Sequence, residues 1–214
     1  VRMEERSPGS YRLAIRGSLL RSPFGIRNIR VYYNGFSLTD ATGNTYLNLL
    51  DATQIYSGEV MKGPVASIYG AGTTGGVILQ SKPSSVSSKN WNGEAGVSIG
   101  SFGLSHQYFQ THVQNKKLSS SFYQSRIHQT GYREQSLLHR DAFQWNAKWR
   151  LSPIWNISTL VLWTGLYYQT PGGLTRSQFQ ANPRMARPPA GTLAGAIQQQ
   201  SSIRNNTLFT GIGF

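Results

Sequence analysis

The chain has 214 residues, enough for one domain of ordinary size or slightly more. It contains no cysteine, which excludes disulfide scaffolds, thiolate zinc sites and cysteine nucleophiles. Lysine and arginine number 21 against 8 aspartates and glutamates, and the resulting net charge of +13 fits either a phosphate binder or a membrane protein with few carboxylates.

The first block, residues 1–83, is rich in glycine and begins with a dense run of arginines. Seven fall within the first thirty residues: Arg2, Arg6, Arg12, Arg16, Arg21, Arg27 and Arg30. Such a run can line a phosphate track, but no helix-turn-helix, zinc-finger or aromatic RNP pattern accompanies it. We expect instead that these cations pair with carboxylates supplied elsewhere in a longer chain. Attraction of a small anionic ligand is the third possibility.

Glycines separate short apolar runs throughout this block. Residues 70–75 fit the pattern G-x-G-x-x-G, which in dinucleotide-binding proteins follows a strand and opens a helix. Here residues 76–81 are typical of a strand, so the pattern predicts a tight turn rather than a nucleotide site. Positive φ angles are expected at five turn positions: Gly35, Gly43, Gly63, Gly70 and Gly72.

A polar stretch at 84–90 predicts a linker, and from Trp91 onward the sequence alternates with a period of two. The alternation is clearest in 91–100 and 143–152, where polar residues occupy one side of a strand and mostly apolar or small residues the other. Less regular stretches predict four further strands, at 104–114, 117–129, 155–168 and 205–214. Tight turns are expected at 115–117 and 151–154, and longer loops at 130–139 and 169–202.

Long strands joined alternately by short and long connections are typical of transmembrane β-barrels. Four aromatic residues lie near predicted strand ends, where interfacial girdles occur: Trp91, Trp155, Tyr167 and Tyr168. A soluble β-sandwich also alternates and is the alternative, although its strands usually have about 5–6 residues. Six strands fall short of the roughly eight of the smallest bacterial barrels, so we expect this chain to be part of something larger.

The histidines give no sign of catalysis. His106, His112, His128 and His139 lie in predicted strands or a loop, without a recognisable nucleophile elbow. His106 and His112 would share one face of a strand at a separation of about 20 Å, too far for one metal ion. We therefore expect no enzymatic activity, no metal site and no cofactor.

An ordered series of short motifs runs through the first block. It consists of Ile15-Arg16-Gly17, residues 24–35, Thr39-Asp40, Leu50-Asp51, Ile55, Glu59-Val60, Lys62-Gly63-Pro64, Ser67-Ile68-Tyr69-Gly70 and Gly75-Gly76-Val77-Ile78. In order and spacing the series closely resembles the plug domain of TonB-dependent outer-membrane receptors. The later strands resemble the start of that family's 22-stranded barrel, and residues 170–175 with 182–183 are similar to one of its extracellular loops.

The resemblance implies a β-rich fold: a plug domain followed by about the first six antiparallel strands of an incomplete transmembrane β-barrel. The predicted domains are a plug at 1–83, truncated at its N-terminus, a linker at 84–90 and part of the barrel at 91–214. The family's energy-coupling segment and the first half of the plug would lie outside this chain. No apolar core follows the charged residues 1–6 as it would in a signal peptide.

The resemblance also implies roles for individual residues. Arg16 and Lys62 match two cationic plug positions that pair with barrel glutamates in the family. Segments 18–24 and 41–46 match loops that touch the ligand, where Arg21, Phe24 and Tyr46 are the side chains able to contact an anionic or aromatic molecule. The plug turn motifs are carried by six residues: Gly17, Gly63, Pro64, Tyr69, Gly70 and Gly76.

The function expected from this resemblance is energised import of a scarce nutrient across the outer membrane of a Gram-negative bacterium. The expected partners are a TonB-type periplasmic energy transducer, outer-membrane lipid and a small ligand such as a ferric siderophore or cobalamin, with no nucleic acid. The siderophore is the first expectation. Two alternatives remain open at this point: a passive β-barrel pore or adhesin, and a soluble basic β protein that binds nucleic acid.

Overall fold

The computed structural model of the chain describes residues 2–7, 10–15, 17, 26, 28–51, 57–63, 66–73, 76–81 and 90–214. The chain divides into two compact units. The first unit consists of Val1–Lys89 with Thr210–Gly213, and the second of Asn90–Phe209 with Phe214. Residues 84–89 of the predicted linker lie outside the described residues.

The first unit contains a two-stranded hairpin and a mixed four-stranded sheet. The hairpin pairs β1 (Arg2–Ser7) with β2 (Ser10–Ala14). The sheet is formed by β3 (Ile29–Tyr33), β4 (Phe36–Ser37), β5 (Ser57–Met61) and β6 (Gly76–Ser81), in the order β4-β3-β6-β5. Strands β3 and β6 are parallel, whereas β4 and β5 run antiparallel to their neighbours. A 3-10 helix at Leu47–Leu49 and a helical turn, α1 (Ala66–Tyr69), lie in the connections.

Aliphatic and aromatic side chains form the core of the first unit. Along β3 burial alternates, because Ile29, Val31 and Tyr33 point inward and are fully buried. Val77 on the neighbouring parallel strand is equally buried. These β-branched and aromatic residues fit a pleated strand well and remove most of their apolar surface from water, which favours folding by roughly 25 cal/mol per Å² buried.

The second unit is one antiparallel sheet of six long strands in sequential order. The strands are β7 (Trp91–Gly100), β8 (Leu104–Gln114), β9 (Leu118–Gln129), β10 (Leu138–Arg150), β11 (Asn156–Gln169) and β12 (Ser202–Gly213). They have 10 to 14 residues each. The structure therefore confirms the β-rich fold with six antiparallel strands, and the predicted boundaries differ by at most a few residues except at β10, which begins earlier than the clear alternation from 143.

The two faces of this sheet differ in burial and in chemistry. On β11 the side chains of Leu160, Leu162 and Thr164 are fully buried, and these residues define what we call the buried face. The intervening residues lie on the opposite, exposed face, where aromatic rings contact one another across neighbouring strands. The Phe122 ring centroid lies 5.1 Å from that of Phe143 and 6.2 Å from that of Phe109. Large apolar side chains therefore also occur on the exposed face of the sheet.

The two longest connections, 130–137 and 170–201, lie at the same end of the sheet, which we call the long-loop end. At the short-turn end, residues 115–117 join β8 to β9 and residues 151–155 join β10 to β11. The Asn115 carboxamide oxygen accepts from the backbone N–H groups of Lys117 and Leu118, which closes the first of these turns. The long-loop end carries the connections 130–137 and 170–201 together with one tight turn, 101–103. The predicted division into tight turns and longer loops is confirmed.

One element of the second unit was not predicted from the sequence. The long connection 170–201 contains a helix, α2 (Arg176–Ala181). Its N-cap is Thr175, whose hydroxyl accepts from the Gln178 backbone N–H while the Gln178 side chain accepts from the Thr175 backbone N–H. This reciprocal pair is a capping box, and the sequence T-x-x-Q at 175–178 is its recognisable signal.

Candidate functional site

The predicted plug turn motifs lie around the sheet of the first unit. Gly63 follows β5, Tyr69 ends α1, and Gly70 begins the turn that leads to β6. All five glycines expected to have positive φ have it: Gly35, Gly43, Gly63, Gly70 and Gly72. Gly17 and Gly76 also have positive φ. Pro64 lies outside the described residues.

Hydrogen bonds hold residues 70–73, the described part of the segment that leads to β6. The Thr73 hydroxyl donates to the Gly70 carbonyl oxygen at 2.9 Å, and the Arg30 Nε donates to the Ala71 carbonyl oxygen at 2.8 Å. The segment that follows is strand β6, as predicted, so no helix N-terminus is available here for a pyrophosphate.

The predicted ion-pair positions are only partly described. Lys62 lies immediately after β5, and its side chain is exposed. Among the described residues it makes no ion pair with a carboxylate. Arg16, the second predicted position, lies outside the described residues. The pairing expected for both therefore stays a prediction.

Several of the early arginines bond to groups within this chain. Glu4 on β1 forms ion pairs with Arg2 and with Arg12, the latter at 3.8 Å, and Arg30 donates to a backbone carbonyl as described above. We had expected these cations to pair with carboxylates from elsewhere in a longer chain. For Arg2 and Arg12 the carboxylate is local instead, because the hairpin register places Glu4 directly opposite Arg12 and two residues from Arg2.

Of the three predicted ligand contacts, only Tyr46 lies among the described residues; Arg21 and Phe24 do not. Tyr46 is 39% exposed, and its hydroxyl donates to the Asp40 carboxylate at 3.2 Å. The same carboxylate accepts from the Thr42 hydroxyl at 2.7 Å and from the Asn44 backbone N–H at 2.9 Å. These bonds organise the predicted ligand-contacting segment 41–46 as one compact turn around Asp40.

The bonds to Asp40 also set the acidity of this turn. The Thr42 hydroxyl, followed by the Asn44 backbone N–H, stabilises the carboxylate and lowers the pKa of Asp40 below its ordinary value of 3.8. Tyr46 donates to the same carboxylate, which raises the pKa of its phenol above 10.0. Tyr46 therefore presents a neutral ring and Asp40 a negative charge at physiological pH.

A second candidate surface lies at the long-loop end of the six-stranded sheet. The turn 101–103 has positive φ at both Phe102 and Gly103, as a type I′ hairpin turn requires. A positive φ is costly for a phenylalanine, and the surrounding bonds compensate for it. The Phe102 carbonyl oxygen accepts from the Thr130 hydroxyl at 2.6 Å and from the backbone N–H groups of Thr130 and Gly131.

These bonds present the Phe102 ring to two residues of the longer loops. Its centroid lies 5.2 Å from that of Tyr132 in an edge-to-face arrangement. The guanidinium carbon of Arg184 lies 5.7 Å from the Phe102 centroid and 5.4 Å from the Tyr132 centroid, within the range of cation–π attraction. All three side chains are exposed. We call Phe102, Tyr132 and Arg184 the loop cluster.

Arg133 fixes the two longer loops to each other next to this cluster. Its Nε and one terminal nitrogen donate to the Met185 carbonyl oxygen at 3.1 and 2.8 Å, and its other terminal nitrogen donates to the Gly172 carbonyl oxygen at 2.9 Å. Beside it, the Glu134 carboxylate accepts from the Ala186 backbone N–H at 3.1 Å. The planar, five-donor guanidinium suits this bridging position.

The loop cluster can bind an anionic or aromatic molecule by charge and by stacking. This cluster was not predicted from the sequence, because Phe102 and Tyr132 are far from Arg184 along the chain and no spacing rule connects them. The available signal was an arginine in a loop otherwise rich in proline and glycine.

No group of three or more potential metal ligands occurs within the described part of the chain. In the same part, no helix has the length and apolar character needed to span a membrane.

Comparison with known proteins bears on both units. Residues 1–77 match the family model of the TonB-dependent receptor plug domain. The fold is similar to that of the crystal structure of the siderophore receptor PirA from Acinetobacter baumannii, with a TM-score of 0.54 and 16% sequence identity. The alignment covers 86% of this chain and 29% of that receptor, so the chain spans less than a third of its length. Together, the plug-domain match and the shared fold confirm the resemblance of this chain to a TonB-dependent receptor.

Proposed function

We propose that this chain is part of an outer-membrane receptor that imports a scarce nutrient with energy delivered by a TonB-type periplasmic protein. The match of residues 1–77 to the plug domain of TonB-dependent receptors carries the proposal. A plug is the part that such a receptor needs and that a passive pore or an adhesin does not. The family is a class of receptors and implies the outer membrane of a Gram-negative bacterium as the location.

The six-stranded sheet supports a membrane setting for the second unit. Its strands of 10 to 14 residues match or exceed the roughly 9–11 residues that a tilted strand needs to cross a bilayer. Its exposed face carries contacting aromatic rings, and its two longest connections, 130–137 and 170–201, lie at the same end. Outer-membrane barrels place long loops outside the cell, so the long-loop end would face the medium.

The ligand we propose is an anionic chelate with aromatic groups, of which a ferric siderophore is an example. The loop cluster supports this class, because Arg184 offers a positive charge between two exposed rings. Considered separately, the first unit has its own proposed ligand contacts, namely Arg21, Phe24 and the exposed Tyr46. The siderophore receptor with a similar fold is consistent with this choice.

For the plug we propose that Arg16 and Lys62 pair with glutamates of barrel strands outside this chain. A cation in a barrel lumen needs such a partner, because removing an ion from water without a counter-charge costs several kcal/mol. Binding at the external surface and force from the periplasm would then rearrange the plug. Charge reversal of Lys62, paired with reversal of a lumen glutamate in the full-length receptor, would restore uptake if the two form an ion pair.

The direct test is uptake of a radiolabelled ferric siderophore by a deletion strain that expresses the full-length receptor. We expect accumulation that disappears when the TonB-type protein is deleted or the proton gradient is collapsed. Arg184→Ala should raise the KM for uptake by roughly tenfold, the effect of losing about 1–2 kcal/mol of cation–π and charge interaction. Arg176→Ala, an exposed arginine of the same loop outside the cluster, is the matched control.

A passive pore predicts a different result in the same strain and in liposomes. Uptake would then persist without the TonB-type protein, and purified full-length protein would let small sugars swell liposomes. The nucleic-acid alternative predicts recovery in the soluble fraction with salt-sensitive DNA binding. Its main sequence support is weakened, because Arg2, Arg12 and Arg30 already bond to groups within the chain.

A further inference from the structure

The ionisable side chains on the exposed face of the six-stranded sheet are confined to one end. They are Arg126 and His128 on β9, His139 and Asp141 on β10, and Arg204 on β12. All lie within four residues of the long-loop end of their strands. The rest of this face, as far as the short-turn end, carries apolar, aromatic and uncharged polar residues.

The strand register aligns several of these residues in one row across the sheet. His128 on β9 lies directly opposite His139 on β10, with ring centroids 6.2 Å apart. His139 in turn lies opposite Tyr167 on β11. The guanidinium carbon of Arg204 lies 5.6 Å from the Tyr167 ring centroid, so β12 continues the row. Neighbouring strands are about 4.8 Å apart, and the row therefore spans roughly 15 Å.

A second pair reinforces the row one step further along the strands. Arg126 lies opposite Asp141, and its Nε donates to the Asp141 carboxylate at 2.7 Å. The other carboxylate oxygen lies 2.9 Å from His139 Nε2. Asp141 thereby orients one cation and one imidazole, while the Arg126 side chain stays 52% exposed. Two arginines against one carboxylate leave the group positive.

A positive row above an uncharged apolar band matches the order of head groups and hydrocarbon in a membrane leaflet. Basic groups at this depth attract anionic lipid phosphates, and tyrosine is favoured at the same level. We propose that Arg126, His128, His139, Tyr167 and Arg204 form a site for the phosphate head group of an anionic lipid in the leaflet at the long-loop end. The proposal rests on the membrane setting proposed above. It adds a specific lipid contact that import itself does not require.

The test uses the full-length receptor, purified in detergent and incorporated into phosphatidylcholine nanodiscs, with diphosphoryl lipid A as the probe. We expect wild type to bind the probe and the double variant R126Q/R204Q to bind it about 30-fold more weakly, as for the loss of two basic groups near a membrane surface. The control K148Q/R150Q removes the same charge from the opposite face near the short-turn end and should bind like wild type.

Two further measurements separate the possible results. Inorganic phosphate at equal concentration should not displace the lipid, and displacement would overturn the proposal in favour of a site for free phosphate. If the double variant is poorly expressed, Arg204→Gln alone, whose side chain contacts the Tyr167 ring, should still weaken binding.

Import by the same variants is measured separately from lipid binding. If all variants bind the lipid equally and import is normal, the lipid site is contradicted and the receptor function is not. Loss of lipid binding with import retained would support both proposals. A wild-type protein that is not integral to the membrane would overturn the receptor function and the lipid site together.

Discussion

Gly76 marks a close approach between two strands of the first unit. Its φ is +138°, and a Cβ at this position would lie 2.6 Å from the Met61 carbonyl oxygen and 3.1 Å from the Ile15 side chain. The Met61 backbone belongs to the neighbouring strand β5 and cannot give way without breaking the sheet register. Only glycine fits both the backbone angle and the space.

We therefore expect Gly76→Ala to destabilise the first unit by about 2–4 kcal/mol, combining backbone strain with the steric clash. Hydrogen exchange of the β5 and β6 amides in the full-length receptor measures this directly. Gly72→Ala is the matched control, because Gly72 also has positive φ but nothing lies within 4 Å of its Cβ position. Its cost should be limited to about 1 kcal/mol of strain. Equal costs would contradict the steric argument.

The turn around Asp40 should be sensitive to acid. A carboxyl whose pKa is lowered in the folded state stabilises that state above the unfolded pKa, near 3.8, and the stabilisation is lost as the pH falls through the lowered value. The amides of Thr42 and Asn44 donate to this carboxylate. Their exchange protection should therefore hold from neutral pH down to about pH 4 and decline below it.

Asp40→Asn removes the charge and keeps a side chain suited to the same turn. The variant should show lower protection at neutral pH and little change on acidification, and the two proteins should converge once the wild-type carboxylate is protonated. Amide exchange followed by NMR or mass spectrometry gives both curves. A wild-type protein that keeps full protection under those acidic conditions would show that the carboxylate does not organise the turn.

For individual residues, the sequence predicts the backbone conformation more reliably than it predicts the partners of side chains. Five glycines at positive φ could be predicted, since each lies where short apolar runs demand a sharp turn. The local partners of Arg2 and Arg12 could not, because their pairing with Glu4 depends on the register of a hairpin that the apolar pattern does not reveal. Asp40 had a usable signal in the run Asp-Ala-Thr-Gly-Asn, which favours a side-chain-capped turn.

At the scale of elements, Arg133 joins two loops that would otherwise be independent. Its guanidinium donates to carbonyl oxygens of residues 172 and 185 from a position between β9 and β10. Hydrogen bonds from a charged donor contribute about 1.5–3 kcal/mol each. A lysine has one charged nitrogen and cannot reproduce the planar fork.

Arg133→Lys should accordingly lower the opening free energy of segment 171–187 by about 2–3 kcal/mol. Hydrogen exchange of that segment in the full-length receptor gives the value. Arg176→Lys, in the same loop but at the exposed start of α2, should leave exchange unchanged. Equal exchange in all three proteins would mean that the loops are ordered by other contacts.

Strands of the second unit were predictable because a period of two over ten or more residues specifies both the element and its faces. The capped helix α2 was missed because six residues in a long loop give too short an apolar pattern, although the T-x-x-Q capping signal was present. The loop cluster could not be predicted from the sequence for a different reason. It forms where three connections meet, and their meeting depends on strand register rather than on any local sequence.

At the scale of the whole molecule, the charge of +13 is spread over distinct environments. Some arginines pair with a carboxylate in the hairpin of the first unit, and others bond to backbone groups or stack on rings in the loops. A third group belongs to the row at the long-loop end of the exposed face. Between the Arg126–Asp141 pair next to that row and the short-turn end, the exposed face carries no charged residue. This distribution fits a bilayer with its hydrocarbon at mid-strand and head groups at the row.

A pair of arginine substitutions on this face tests that arrangement. Phe122 lies at mid-strand on β9, and Ser105 lies on β8 opposite His128, at the level of the row. In a bilayer, Phe122→Arg should cost about 2–4 kcal/mol and Ser105→Arg about 0–1 kcal/mol, because the cost of an outward-facing arginine depends on its depth. Reversible unfolding of the full-length receptor from lipid vesicles measures both. In detergent micelles the difference should shrink, because the arginine is then close to water at either position. Equal costs in vesicles would show that hydrocarbon does not surround the middle of this face.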